Sequence, residues 1–134
     1  MFSGLSETQL QKLSEVFELQ EYQQNEVLFT QGEQGANLYL VKQGFVEVIV
    51  DVPDTPQGRT IVNLGPGQSV GEMALVDQGA RSATVRAAID GTIVASVSRD
   101  SFNDLCEKDT ATGYRIMRNI AADLSFRIRR MQFD

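Results

Sequence analysis

Arg81 and Glu72 are the side chains of this 134-residue sequence whose types and spacing point most directly to chemistry on a small ligand. A guanidinium offers planar, paired N–H donors that clamp a phosphate in bidentate fashion. An ionised carboxylate only accepts hydrogen bonds, so Glu72 suits a sugar hydroxyl and repels bare phosphate. Between them, Gly71-Glu72-Met73-Ala74-Leu75 reads as one helical turn entered through a glycine. Such a turn leaves free N–H groups and a partial positive charge at its start, which is an anion site. Ala74, Ser82 and Ala83 are small enough for a ligand to approach the backbone, and the last two add N–H groups and a hydroxyl. Together these features match a phosphorylated ribose. The same two residues would equally make a surface salt bridge beside a tight turn.

Composition removes several other chemistries. The chain has no histidine and a single cysteine, Cys106. A His-dependent triad is impossible and a structural zinc site lacks ligands, so no metal is expected. No paired carboxylates are placed for acid–base work, and an enzyme is not expected. One cysteine forms no disulfide within a chain and fits a reducing, cytoplasmic setting. The apolar runs fall far short of the ~20 residues a membrane helix needs. Twelve basic residues against eighteen acidic ones leave a net charge of −6, which argues against nucleic-acid binding by this chain. The charge is uneven: residues 113–134 carry five arginines and two aspartates, a local +3.

The elements that must position Glu72 and Arg81 follow from periodicity. With 42% apolar and 22% charged residues, the chain reads as one folded domain over 1–134. Residues 1–20 predict a helix: Ser6 and Gln9 make a capping box, and Leu10, Leu13, Val16 and Phe17 recur at helical spacing. From about 21 to 98 come short β-prone runs, Val27–Phe29, Leu38–Val41, Phe45–Val50, Thr60–Val62, Thr84–Ala87 and Thr92–Ala95. Glycine-bearing turns separate them, including a polar turn from Pro53 to Gly58. Many short strands with such punctuation predict an all-β sandwich, barrel or jelly roll. From about 99 to 131 the helical period returns in two segments, the second capped by Asp109 or Thr110.

The cassette from Gly71 to Leu75, five residues, then Arg81-Ser82-Ala83-Thr84-Val85 resembles the phosphate-binding cassette of the cyclic nucleotide-binding domain family. The run from Gly32 to Gly44 resembles the strand–turn–strand ahead of that cassette, and Phe2-Ser3-Gly4-Leu5-Ser6 resembles the family's opening. The resemblance implies a β jelly roll with an N-terminal helix and two C-terminal helices. It implies a cyclic nucleotide, cAMP or cGMP, as ligand and no other cofactor. Glu72 would then accept the ribose 2′-hydroxyl and Arg81 would hold the exocyclic phosphate oxygens. Gly71, Ser82 and Ala83 would add donors, and Met73 and Ala74 lie within the motif. Ile61, Leu64, Val70 and Val85 are candidates for the wall around the base. Aligned without gaps from Phe102, Arg127 and Ile128 stand where catabolite-type regulators place small hydroxyl residues. Phe126, Arg127 or Ile128 would cover the base instead, by stacking or apolar contact. The alternative is a ligand-free relative serving as a dimerisation or docking module.

The final helix carries a second pattern. Tyr114, Met117, Ala121, Leu124, Ile128 and Met131 recur at alternating three- and four-residue steps, a short a/d seam suited to a parallel homodimer. Ile116 and Ile120 lie off that seam, on a face suited to packing on the roll.

Overall fold

The strand signals resolve into eight strands among the described residues, which are 1–76 and 79–132 in this computed structural model; the side chains of 57, 73, 131 and 132 lie outside the description. The strands are β1 (Glu18–Tyr22), β2 (Val27–Phe29), β3 (Asn37–Gln43), β4 (Val46–Val52), β5 (Thr55–Leu64), β6 (Ser69–Val70), β7 (Thr84–Ala87) and β8 (Thr92–Ser98). They form two four-stranded antiparallel sheets, ordered β1-β8-β3-β6 and β2-β7-β4-β5. Three α-helices lie among the described residues: α1 (Glu7–Val16), α2 (Arg99–Lys108) and α3 (Thr110–Gln132). It divides into two compact units, the strands over 17–99 and the helices from 1–16 with the chain from 100 onward.

In the strand unit, alternation sends one set of side chains inward. Tyr22, Phe29, Val41, Val46, Val48, Ala83, Val85, Ala87 and Val94 form the core, with Leu28, Tyr39, Val50, Leu64 and Val70 packed against it. Leu38, Ala95 and Val97, on the opposite face of β3 and β8, are buried too. Two expectations are corrected. The polar turn over 53–58 is tighter than its composition suggested: Val52 already pairs with Thr55, so residues 53 and 54 make a two-residue hairpin loop and β5 starts at Thr55. The N-terminal helix expected over 1–20 ends at Val16, and Glu18–Tyr22 is the strand β1, paired along its length with β8. Leu, Gln and Glu favour helix locally, and the pairing with a strand more than seventy residues on overrides that weak preference.

In the helical unit, the capping box forms: the Ser6 N–H donates to Gln9 Oε1 at 2.8 Å and the Gln9 N–H to Ser6 Oγ at 3.2 Å. Asp109 separates α2 from α3. Its N–H closes α2 on the Leu105 carbonyl at 2.8 Å, and its Oδ1 accepts from the Thr112 N–H at 3.2 Å, which caps α3. Lys12 of α1 lies 3.6 Å from Asp109 Oδ2. Asn119 Nδ2 donates to the carbonyls of Met1 and Ser3, both at 2.8 Å, fastening the N-terminal residues to α3.

Candidate functional site

The strand unit builds its candidate site from two chain segments that lie far apart in sequence. Strand β6 pairs with β3, Tyr39 opposite Val70 and Leu40 opposite Ser69. Gly71 then adopts φ +91°, a conformation that L side chains rarely reach. This reversal starts the short 3-10 turn Glu72–Leu75, the single turn that the sequence predicted. Ala74 and Leu75 are buried and anchor it. The turn's first carboxylate is held from within, because Ser69 Oγ donates to Glu72 Oε1 at 2.7 Å. Ser69 was not among the expected site residues. Its Ser-x-x-Glu spacing is a capping-box signal and was legible.

Arg81 is placed by the loop that precedes β3. Its N–H donates to the Glu33 carbonyl at 2.7 Å, its own carbonyl accepts from the Gly32 N–H at 2.8 Å, and Gln34 bridges to Ala80. The side chain is half-buried. Nη2 donates to the Asn37 carbonyl at 2.8 Å, and the guanidinium carbon sits 4.0 Å from the centre of the Phe29 ring. Nε is buried without a hydrogen-bond partner among the described residues. Two glycines flank the group: a Cβ on Gly35 would lie 2.3 Å from Nε, and one on Gly71 would lie 2.7 Å from Nη1. Burial pulls the Arg81 pKa below its ordinary value, and Tyr39 and Glu33 oppose that shift.

The guanidinium therefore lies against Gly71, the residue next to Glu72. Among the described residues Glu72 and Arg81 form no ion pair with each other, so the salt-bridge alternative is not what the fold contains. Ser82 is exposed, while Ala83 and Val85 are buried in the core beside them. Val70 and Leu64 pack against the same core from β6 and β5. Val62 opposes Val48, an inward residue, yet is 43% exposed. Ile61 is the extra residue where β5 slips by one against β4, and it is 55% exposed. The side chain of residue 73 is outside the described set.

On α3, Phe126, Arg127 and Ile128 are all exposed, and the Arg130 guanidinium lies 5.5 Å from the Phe126 ring centre. Along the expected seam, Tyr114, Ala121 and Ile128 are exposed and Met117 and Leu124 half-buried, whereas Ile116 and Ile120 are buried. Met131 falls in α3, with its side chain outside the described residues. A groove of about 320 Å³ between α2 and α3, lined by Cys106, Gly113, Tyr114 and Met117 among others, holds neither Glu72 nor Arg81. No helix among the described residues is long and apolar enough to cross a membrane.

Two antiparallel sheets, three helices and a glycine-led turn facing a socketed arginine define a small β jelly-roll module. The chain belongs to the cyclic nucleotide-binding domain family, whose model matches residues 19–109. It is 33% identical over 129 residues to the Cyclic AMP receptor protein of Thermus thermophilus, covering 96% of this chain and 57% of that one. It is also 33% identical over 112 residues to isozyme 1 of the cGMP-dependent protein kinase of Drosophila melanogaster, covering 80% of this chain and 15% of the kinase. The crystal structure of the Thermus thermophilus Catabolite Activator Protein superposes with TM-score 0.84 at 33% identity, over 98% of this chain and 59% of that one. The regulatory domain of Toxoplasma gondii PKA, solved with cAMP, superposes with TM-score 0.70 at 28% identity, over 87% of this chain and 43% of that one. The chain thus spans from about one-tenth to little more than half of the curated relatives it matches.

Proposed function

We propose that this chain is a sensor module that binds cAMP or cGMP and passes the binding event to its C-terminal helix, as a regulatory element and not a catalyst. Glu72 accepts the ribose 2′-hydroxyl, and its other carboxylate oxygen is steadied by Ser69. Arg81 binds the exocyclic oxygens of the cyclic phosphate, with Gly71, Ser82 and Ala83 adding donors. Leu64, Val70 and Val85 form the apolar wall, with Ile61 at its exposed margin. Phe126, Arg127 or Ile128 supplies the cover over the base. The observation that carries this reading is the half-buried Arg81 guanidinium, lying against Gly71, the neighbour of Glu72, with a buried Nε that has no hydrogen-bond partner among the described residues. A guanidinium that gives up part of its hydration in this way is favoured by a charged acceptor at its accessible edge, and a phosphate oxygen is a suitable one.

Coupling requires that ligand bind one arrangement of the helices more tightly than another; a tenfold preference corresponds to about 1.4 kcal/mol. The output surface is the α3 seam of Tyr114, Met117, Ala121, Leu124, Ile128 and Met131, through which two copies pair. Its exposed Tyr114 and Ile128, set against the buried Ile116 and Ile120, favour that assignment.

Calorimetry with cAMP and with cGMP tests the function. Binding heat with at least one is expected. Arg81→Ala is expected to cost at least ~3 kcal/mol, more than a hundredfold in affinity, by removing charge-assisted bonds to the phosphate. No heat with either nucleotide at about 100 µM protein would favour a ligand-free docking module instead. Near-native affinity in Arg81→Ala would remove the phosphate role.

A further inference from the structure

We propose that Phe29 is a positioning residue for ligand binding: its ring, stacked under the Arg81 guanidinium, sets the plane and depth at which that group meets a phosphate. The proposal rests on the phosphate role given to Arg81 above. A half-buried guanidinium gives up hydration on its faces as well as its edges. The edges recover hydrogen bonds only in part, since Nη2 donates to the Asn37 carbonyl while Nε has no partner among the described residues. The face is where the fold compensates. The guanidinium carbon is 4.0 Å from the centre of the Phe29 ring and 5.9 Å from that of Tyr39. The first is a stacking distance; the second is near the ~6 Å limit of the attraction. The Tyr39 ring centre lies 5.7 Å from that of Phe29, with planes tilted by 34°, so Tyr39 buttresses the platform.

Three features make Phe29 a device for placement. It is only 6% exposed and belongs to the core cluster, so packing fixes its ring. The negative face of an aromatic ring offsets the arginine's positive charge without occupying a single N–H donor. A carboxylate in the same place would take those donors and repel an incoming phosphate, and an aliphatic side chain would leave the charge uncompensated. The ring fixes the guanidinium plane, the Asn37 carbonyl fixes its rotation, and Gly35 and Gly71 leave its edges room.

The test compares Phe29→Leu, which removes the ring, with Phe29→Tyr, which keeps it. Two readouts are used: calorimetry with cAMP and cGMP, and the Arg81 Nε–H resonance in ¹H–¹⁵N spectra, assigned by its loss in Arg81→Ala. The ring current displaces this resonance from the free-arginine position in the wild type and in Phe29→Tyr. In Phe29→Leu it returns towards that position, and affinity falls about 3- to 10-fold, against a change within about twofold for Phe29→Tyr. Unchanged affinity in Phe29→Leu, or equal weakening in both variants, overturns the proposal. If Phe29→Leu does not fold, a wild-type Nε–H at the free-arginine position overturns it by itself. Wild-type protein that binds neither nucleotide removes the proposed function and this inference with it. Wild-type binding with an indifferent Phe29→Leu removes this inference alone.

Discussion

Gly35→Ala separates ligand affinity from stability at the candidate site. Gly35 does not occupy the left-handed region, so its backbone accepts an alanine, and the lost freedom of the unfolded chain favours folding by about 0.4–1 kcal/mol. The new methyl group, however, would lie 2.3 Å from Arg81 Nε, 2.5 Å from Cζ and 2.8 Å from Cδ, where ordinary contact is 3.4–4 Å. A flexible side chain gives way before the backbone does, so the guanidinium must retreat by about 1 Å, a misplacement large enough to break a paired hydrogen-bond geometry. With the bidentate contact to phosphate lost or reduced to one bond, cyclic nucleotide affinity is expected to fall about 10- to 100-fold. Calorimetry reads the affinity, and thermal unfolding reads the stability, whose midpoint is expected to stay within about 3 °C of wild type. A variant with normal stability and affinity within about threefold of wild type would show that the position of Arg81 does not govern binding. A large fall in melting temperature would show that the glycine serves the fold and not the arginine.

Other perturbations address the remaining parts of the site. Ser69→Ala removes the donor that steadies Glu72 Oε1, and is expected to weaken binding of a ribonucleotide about 3- to 10-fold while leaving its 2′-deoxy analogue unchanged. Equal losses with both ligands would detach Ser69 from hydroxyl recognition. Leu124→Glu places a charge in the middle of the α3 seam and is expected to shift the protein from dimer to monomer in sedimentation; a wild-type chain that is already monomeric would refute the seam. Asp109 is held below the usual carboxylate range, first by hydrogen bonding from Thr112 and less by Lys12. A lowered folded value means that its contribution to stability is present above the unfolded pKa of about 3.9 and is lost as pH falls through the folded value. Asp109→Asn should therefore lose less stability than wild type between pH 7 and pH 3 in thermal unfolding, and parallel curves would contradict the assignment.

Much of the fold was legible because it is locally encoded. The alternation in Val46–Val52 and Thr92–Ser98 marks strands whichever partner they find, and the Ser6–Gln9 box marks the start of α1 from within a single turn. Gly71 announced a reversal, because few other residues adopt its φ of +91° at low cost. Where the signal was weak, pairing decided. Glu18–Tyr22 has residues that favour a helix, and only its register with Thr92–Ser96 of β8 makes it a strand.

The sequence by itself determined which side chains are candidates for the proposed ligand chemistry, a guanidinium and a carboxylate nine residues apart around a glycine-led turn, because residue type sets what a group can donate or accept. Tertiary structure alone decided how those groups are held. The ring beneath Arg81 comes from β2, the carbonyl that takes one of its N–H groups lies 44 residues away at the start of β3, and the space for its Nε is the missing Cβ of Gly35. Such contacts leave no periodicity along the chain. They arise when non-local strand pairing brings distant segments together, and only then does an arginine in the text become a half-buried cation seated on an aromatic ring.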